Sequence, residues 1–65
     1  MSQKDIYRME LDEVTESLDD IIEALTRWAS RTNGARPEEY LLRAKNLITS
    51  ARDEIVLAKR LDPLL

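Results

Sequence analysis

The chain has no cysteine, no histidine and no phenylalanine, and its 65 residues include one glycine and two prolines. Without cysteine there is no disulfide framework and no thiolate zinc site. Without histidine the commonest acid–base group and the commonest metal ligand are both missing. The serines and threonines therefore have no imidazole beside them to take a proton, as nucleophilic catalysis requires. Nothing approaches the run of about 18 apolar residues that marks a membrane-spanning helix. The opening Met1-Ser2-Gln3-Lys4-Asp5 lacks the apolar core of a signal peptide. These absences leave the cytoplasm as the expected compartment and a non-enzymatic role as the expected class. No catalytic, cofactor-binding or metal-ligating residue is assigned.

What is present is charge arranged with helical periodicity. Charged residues make up 35% of the chain, the formal net charge is −3 and the calculated pI is about 4.8. That balance opposes general nucleic-acid binding, which needs a basic footprint. Strong periodicity with few glycines and prolines reads as packed helix rather than disorder. A chain this short struggles to bury enough apolar surface alone, and no covalent or metal staple is available. Self-association or a partner protein is the expected source of the missing stability.

The organising stretch is Asn33-Gly34-Ala35-Arg36-Pro37. Gly34 suits the positive-φ position that closes a helix, and Pro37 suits the first turn of the next, where its missing N–H costs nothing. Arg27 and Arg31 lie at the negative end of the first helix dipole, and Glu38 and Glu39 at the positive end of the second. No capping residue stands immediately before Pro37, so Thr32 or Asn33 is expected to reach across if any side chain caps that helix. The spacing predicts an all-α domain over 1–65: a helix over 3–32, a turn over 33–36 and a helix over 37–61. A turn this short makes the helices antiparallel neighbours. The expected architecture is a two-helix hairpin completed by dimerisation, or by a partner protein, into a helical bundle.

In the first helix, Ser2 stands where a cap is wanted, with Asp5 three residues on. Tyr7, Leu11, Val14, Leu18, Ile21, Leu25 and Trp28 then alternate four- and three-residue spacings, the pattern of a helix–helix seam. Ile22, Ala24 and Ala29 widen that stripe. The polar face from Glu10 through Asp12, Glu13, Glu16, Asp19 and Asp20 to Glu23 is acidic without a single base. It reads as a solvated face or a surface for a basic partner. A calcium loop is excluded by the continuous helical pattern, and a diiron bundle by the missing histidine. Near the turn the sign reverses, with Arg27, Arg31, Arg36, Arg43 and Lys45. Glu23–Arg27 and Glu39–Arg43 are spaced for favourable i,i+4 pairs of about 0.2–0.5 kcal/mol each.

In the second helix the seam stripe is Leu41, Ala44, Ile48, Ala51, Ile55 and Ala58, flanked by Tyr40, Leu47 and Leu61. The alanines recur every seven residues, so one edge of the seam is small and lets helix axes approach. Leu42 and Val56 share a heptad position outside this stripe, and Leu57 lies beside Leu61, Leu64 and Leu65. Two helices cover only one side of each other, so Leu42, Val56, Leu57 and Leu61 are the expected partner-binding surface.

Two family resemblances follow from these residues. Leu11-Asp12-Glu13-Val14 through Arg31 resembles the first helix of the small helical chorismate mutases. That family has an arginine where Thr15 stands here, and three helices, so the activity is not carried over. The second resemblance covers the whole chain. Gly34-x-x-Pro37-Glu38-x-Tyr40, followed by Leu47, Ala51 and Ile55 and preceded by a heptad-patterned helix, is similar to the small YscE/PscE-type co-chaperones of bacterial type III secretion. The resemblance implies binding to a tetratricopeptide-repeat chaperone that keeps the needle subunit soluble in the cytoplasm. The alternative from the residues alone is a homodimeric four-helix bundle, a regulator or assembly factor of phage or plasmid type. A small RNA-binding bundle would need the basic tip duplicated by dimer symmetry.

Overall fold

The computed structural model describes residues 2–61. They form an antiparallel helical hairpin of two elements, α1 (Gln3–Arg31) and α2 (Pro37–Arg60), packed along their length. Asp62, Pro63, Leu64 and Leu65, expected to end and flank the second helix, lie outside the described residues.

Both ends of α1 are closed by local hydrogen bonds. Ser2 is extended (φ −78°, ψ 160°), and its Oγ accepts from the Asp5 N–H at 3.2 Å. This satisfies one of the orphan donors of the first turn. At the other end the Thr32 N–H donates to the Trp28 carbonyl at 3.0 Å. The Thr32 hydroxyl donates to the same carbonyl at 2.9 Å and so does not reach toward α2.

The turn is built as the glycine and proline predict. Gly34 has φ 81°, the described chain's one left-handed position. The Ala35 N–H donates back to the Thr32 carbonyl at 2.8 Å. Arg36 precedes Pro37 in a right-handed conformation, and no side chain caps α2 from that position. The link comes instead from inside α2: a Glu38 carboxylate oxygen accepts the Gly34 N–H at 3.2 Å. Glu38 thus holds the turn while placing its negative charge at the positive end of the helix dipole.

Two helices make one layer. The molecule measures 49 × 18 × 10 Å, with a radius of gyration of 15.2 Å. A compact globule of this length would have about 11 Å. A slab one helix thick cannot enclose side chains, and among the described residues only Ala29 is buried, at 6% exposure.

Candidate functional site

The seam between the helices fixes which surfaces remain free. On α1 the half-buried or buried positions include Tyr7, Leu11, Thr15, Leu18, Ile22, Leu25 and Ala29. On α2 they include Leu41, Ala44, Lys45, Ile48, Thr49, Arg52, Ile55, Val56, Ala58 and Lys59. The hydroxyls of Thr15 and Thr49 donate to the carbonyls of Leu11 and Lys45, each at 2.8 Å, so neither enters the seam without a partner. Lys45, Arg52 and Lys59 are partly covered beside that seam, as long basic side chains commonly are, with their charged ends at the edge.

Two of those charged ends cross to α1. The Arg52 Nε donates to an Asp19 carboxylate oxygen, and the Lys59 Nζ to one of Asp12, each at 2.5 Å. The Asp19 hydrogen bond and charge raise the Arg52 pKa above its ordinary value. These pairs account for part of the acidic run: Asp12 and Asp19 hold α2, a use that neither a solvated face nor a surface for a basic partner describes. Of the two i,i+4 pairs expected, Glu39–Arg43 closes at 2.6 Å. Glu23 and Arg27, both exposed, are not closed among the described residues. Such pairs are individually too weak to hold two solvated chains.

The ion pairs mark one face of the slab. On it, Thr26, Ser30, Asn33, Glu38, Leu42 and Lys45 line an open groove of about 360 Å³ near the turn, floored by Ala29. Among the described residues no buried polar side-chain atom lacks a partner, and no group of acidic residues could hold a metal ion.

The opposite face is largely apolar, with Ser17 between and Glu10 beside its apolar positions on α1. Side chains rotate by about 100° per residue round a helix. Val14 and Ile21, two positions beyond Asp12 and Asp19, therefore turn to the other side of the hairpin, and Trp28 continues their seven-residue line. All three were expected in the hairpin core, and all three are exposed, Trp28 to 52%. The seam is rotated by one residue, with Thr15, Ile22 and Ala29 taking the places that Val14, Ile21 and Trp28 would have filled. On α2 the same rotation puts Lys45, Arg52 and Lys59 one position past the alanines. Ala44 and Ala58 stay at the margin, half-buried, and Ala51, also expected in the core, is exposed. Tyr40 and Leu47 stand beside this alanine line, Leu47 exposed to 72%.

Asp19–Arg52 and Asp12–Lys59, taken as level pairs, agree on one register, with Ile21 about level with Ser50. Trp28 is then level with Arg43 and Ala44, Ile21 with Ser50 and Ala51, and Val14 with Leu57 and Ala58. The apolar face thus has a bulky ridge on α1 and a trough of alanines on α2, in step. At its tip end two aromatic rings carry cations. The Arg31 guanidinium lies 5.0 Å from the Trp28 ring centre, and that of Arg43 5.7 Å from Tyr40.

The residues expected to bind a partner do not form one patch. Leu42 lines the groove on the ion-pair face. Val56, four residues past Arg52, is half-buried on that same side. Leu57 and Leu61 are exposed and turn to the outer side of α2. The larger apolar surface, with Val14, Ile21, Trp28 and Leu47, was hidden from sequence reasoning because its α1 members sit on a perfect heptad and read as core. The signal that could have separated them was the acid two residues before Val14 and Ile21.

Among the described residues no helix is long and apolar enough to cross a membrane. Compared with known proteins, the chain matches no family model, and no curated protein or solved structure matches it.

Proposed function

We propose that this chain is a small, non-enzymatic protein-interaction module that presents the Val14–Ile21–Trp28–Leu47 face to other helices. The observation that carries the reading is the position of that face and the exposed residues on it. Bulky apolar side chains on both helices are exposed together, on the side of the slab opposite the Asp12–Lys59 and Asp19–Arg52 pairs. A contiguous apolar surface of this kind marks an interaction site rather than scattered exposed residues.

The finer reading is a cytoplasmic co-chaperone of type III secretion. In it, a tetratricopeptide-repeat chaperone covers the apolar face, and the pair keeps the needle subunit soluble. That reading rests on the resemblance of Gly34-x-x-Pro37-Glu38-x-Tyr40 and the following helix to the co-chaperone family. An amphipathic hairpin face laid in a helical-repeat groove is its physical counterpart. Co-expression with the repeat-protein chaperones of the source organism tests it. Co-purification of one of them is expected, and its loss on changing Ile21→Glu with helix content retained. Absence of any such complex would overturn the co-chaperone reading, and a complex unaffected by Ile21→Glu would move the interface off this face.

A further inference from the structure

We infer that, when no other protein covers it, the apolar face is covered by a second copy of the same chain. The two hairpins pair face to face about a two-fold axis parallel to the helices, with both turns at the same end. This inference rests on the reading of that face as an interface and names its occupant.

The first argument is area. The chain exposes 5136 Å². A compact monomer of its 7.5 kDa would expose about 4,200 Å² by the usual scaling with mass. The surplus, about 900 Å² spread over all sides of an elongated chain, shows that the hairpin alone leaves open more surface than a compact fold of its mass, by an amount comparable to the about 800 Å² that each partner loses in an ordinary stable interface.

The second argument is shape. A two-fold interface must be complementary to itself. An axis parallel to the helices lays α1 of one copy over α2 of the other. Because ridge and trough share one register, Trp28 then meets the partner's Ala44 level, Ile21 its Ala51 level and Val14 its Ala58 level. Each layer pairs one large residue with one small one, which is how facing positions interdigitate without voids. Every adjacent pair of helices is antiparallel, as in an up-down-up-down bundle. The head-to-tail alternative would stack α1 on α1 and α2 on α2. Ile21 would then meet Ile21 while Ala51 met Ala51, leaving one side overfilled and the other loose.

Charge favours the head-to-tail alternative, since the turn end carries Arg27, Arg31, Arg36 and Arg43. These groups are exposed, and Arg43 is held by Glu39. Screening over about 8 Å at physiological salt makes their repulsion the weaker effect. It leaves a signature: this dimer tightens as salt rises.

The absence of cysteine makes the arrangement directly measurable, because a single introduced thiol is unique. The experiment is sedimentation across dilution of the full chain, with an Ala35→Cys variant carrying a nitroxide for spin–spin distance measurement. Ala35 lies in the turn, exposed and away from the face. The expected results are a mass twice 7.5 kDa and a label distance below about 25 Å, a few helix spacings of 8–10 Å. Ile21→Glu should weaken the dimer at least about tenfold by burying a charge, with helix content kept. A distance of about 35 Å or more, the length of α2, would overturn the arrangement in favour of head-to-tail pairing. A monomer at every concentration would overturn the dimer altogether. If that monomer still captured a repeat-protein chaperone in an Ile21-dependent way, the interaction face would stand and only its self-pairing would fall.

Discussion

Replacing Gly34 isolates what the turn contributes. Its φ is 81°, and a Cβ added there meets no atom within 4 Å. The cost of Gly34→Ala is therefore conformational, not steric. Holding an L-residue in the left-handed region costs about 1–2 kcal/mol. The smaller entropy of the unfolded alanine chain returns about 0.4–1 kcal/mol of that. The net loss is about 1 kcal/mol. Unfolding entropy near the midpoint is about 2.1 cal/mol/K per residue, or about 0.14 kcal/mol/K over 65 residues. The expected fall in melting temperature is about 7 °C. Gly34→Asn should lose about half as much, because asparagine tolerates the left-handed region better. The assay is thermal unfolding followed by circular dichroism at one fixed protein concentration, since association would otherwise move the midpoint. An alanine variant melting at or above the parent would refute the reasoning. It would mean that the turn relaxes to another closure at no cost.

Two further changes probe the seam. Leu25→Ala removes a half-buried side chain from the centre of the helix pair, and should cost about 1–2.5 kcal/mol in urea unfolding, roughly half the usual core value. A double-mutant cycle of Asp19→Asn and Arg52→Met should give a coupling of about 0.2–1 kcal/mol, since both side chains are partly exposed. That coupling should shrink at 1 M salt, where screening reaches about 3 Å. A coupling indistinguishable from zero at low salt would remove the pair as a determinant of register.

The hairpin itself was legible because its punctuation is local. Gly34 followed by Pro37 fixes the stop and restart, and Ser2 fixes the start, by backbone requirements that no tertiary contact needs to supply. The rotation of each helix was not legible, and the reason is physical. The apolar stripe of α1 is wider than one neighbouring helix can cover, so the heptad Tyr7 to Trp28 contains two lines of residues with different destinies. Leu11, Leu18 and Leu25 face α2, whereas Val14, Ile21 and Trp28 do not. On α2 the choice was made by Lys45, Arg52 and Lys59. A pattern reading treats them as polar and assigns them outward. Their partly covered stems lie along the seam, Arg52 and Lys59 pair across it, and Ala51 is turned away from it. The scatter of Leu42, Val56, Leu57 and Leu61 over different sides of α2 has the same cause, since leftover leucines were counted as one outer face before the rotation was known. Glu38 reaching back to Gly34 was also invisible, because the bond runs from inside α2 to the turn and leaves no mark at the position where a cap is sought.

A slab 10 Å deep has water within one side chain's reach of every backbone amide. Such a body has no sheltered nucleus from which protection could radiate. Deuterium labelling of the free chain would therefore follow the unwinding of successive helical turns rather than a single global opening. The slowest amides should cluster around Leu18 to Leu25 and Ile48 to Ile55, where the two helices guard each other. Anything that covers the Ile21 side would show itself first as a slowing of exchange there, before any change in helix content could be seen.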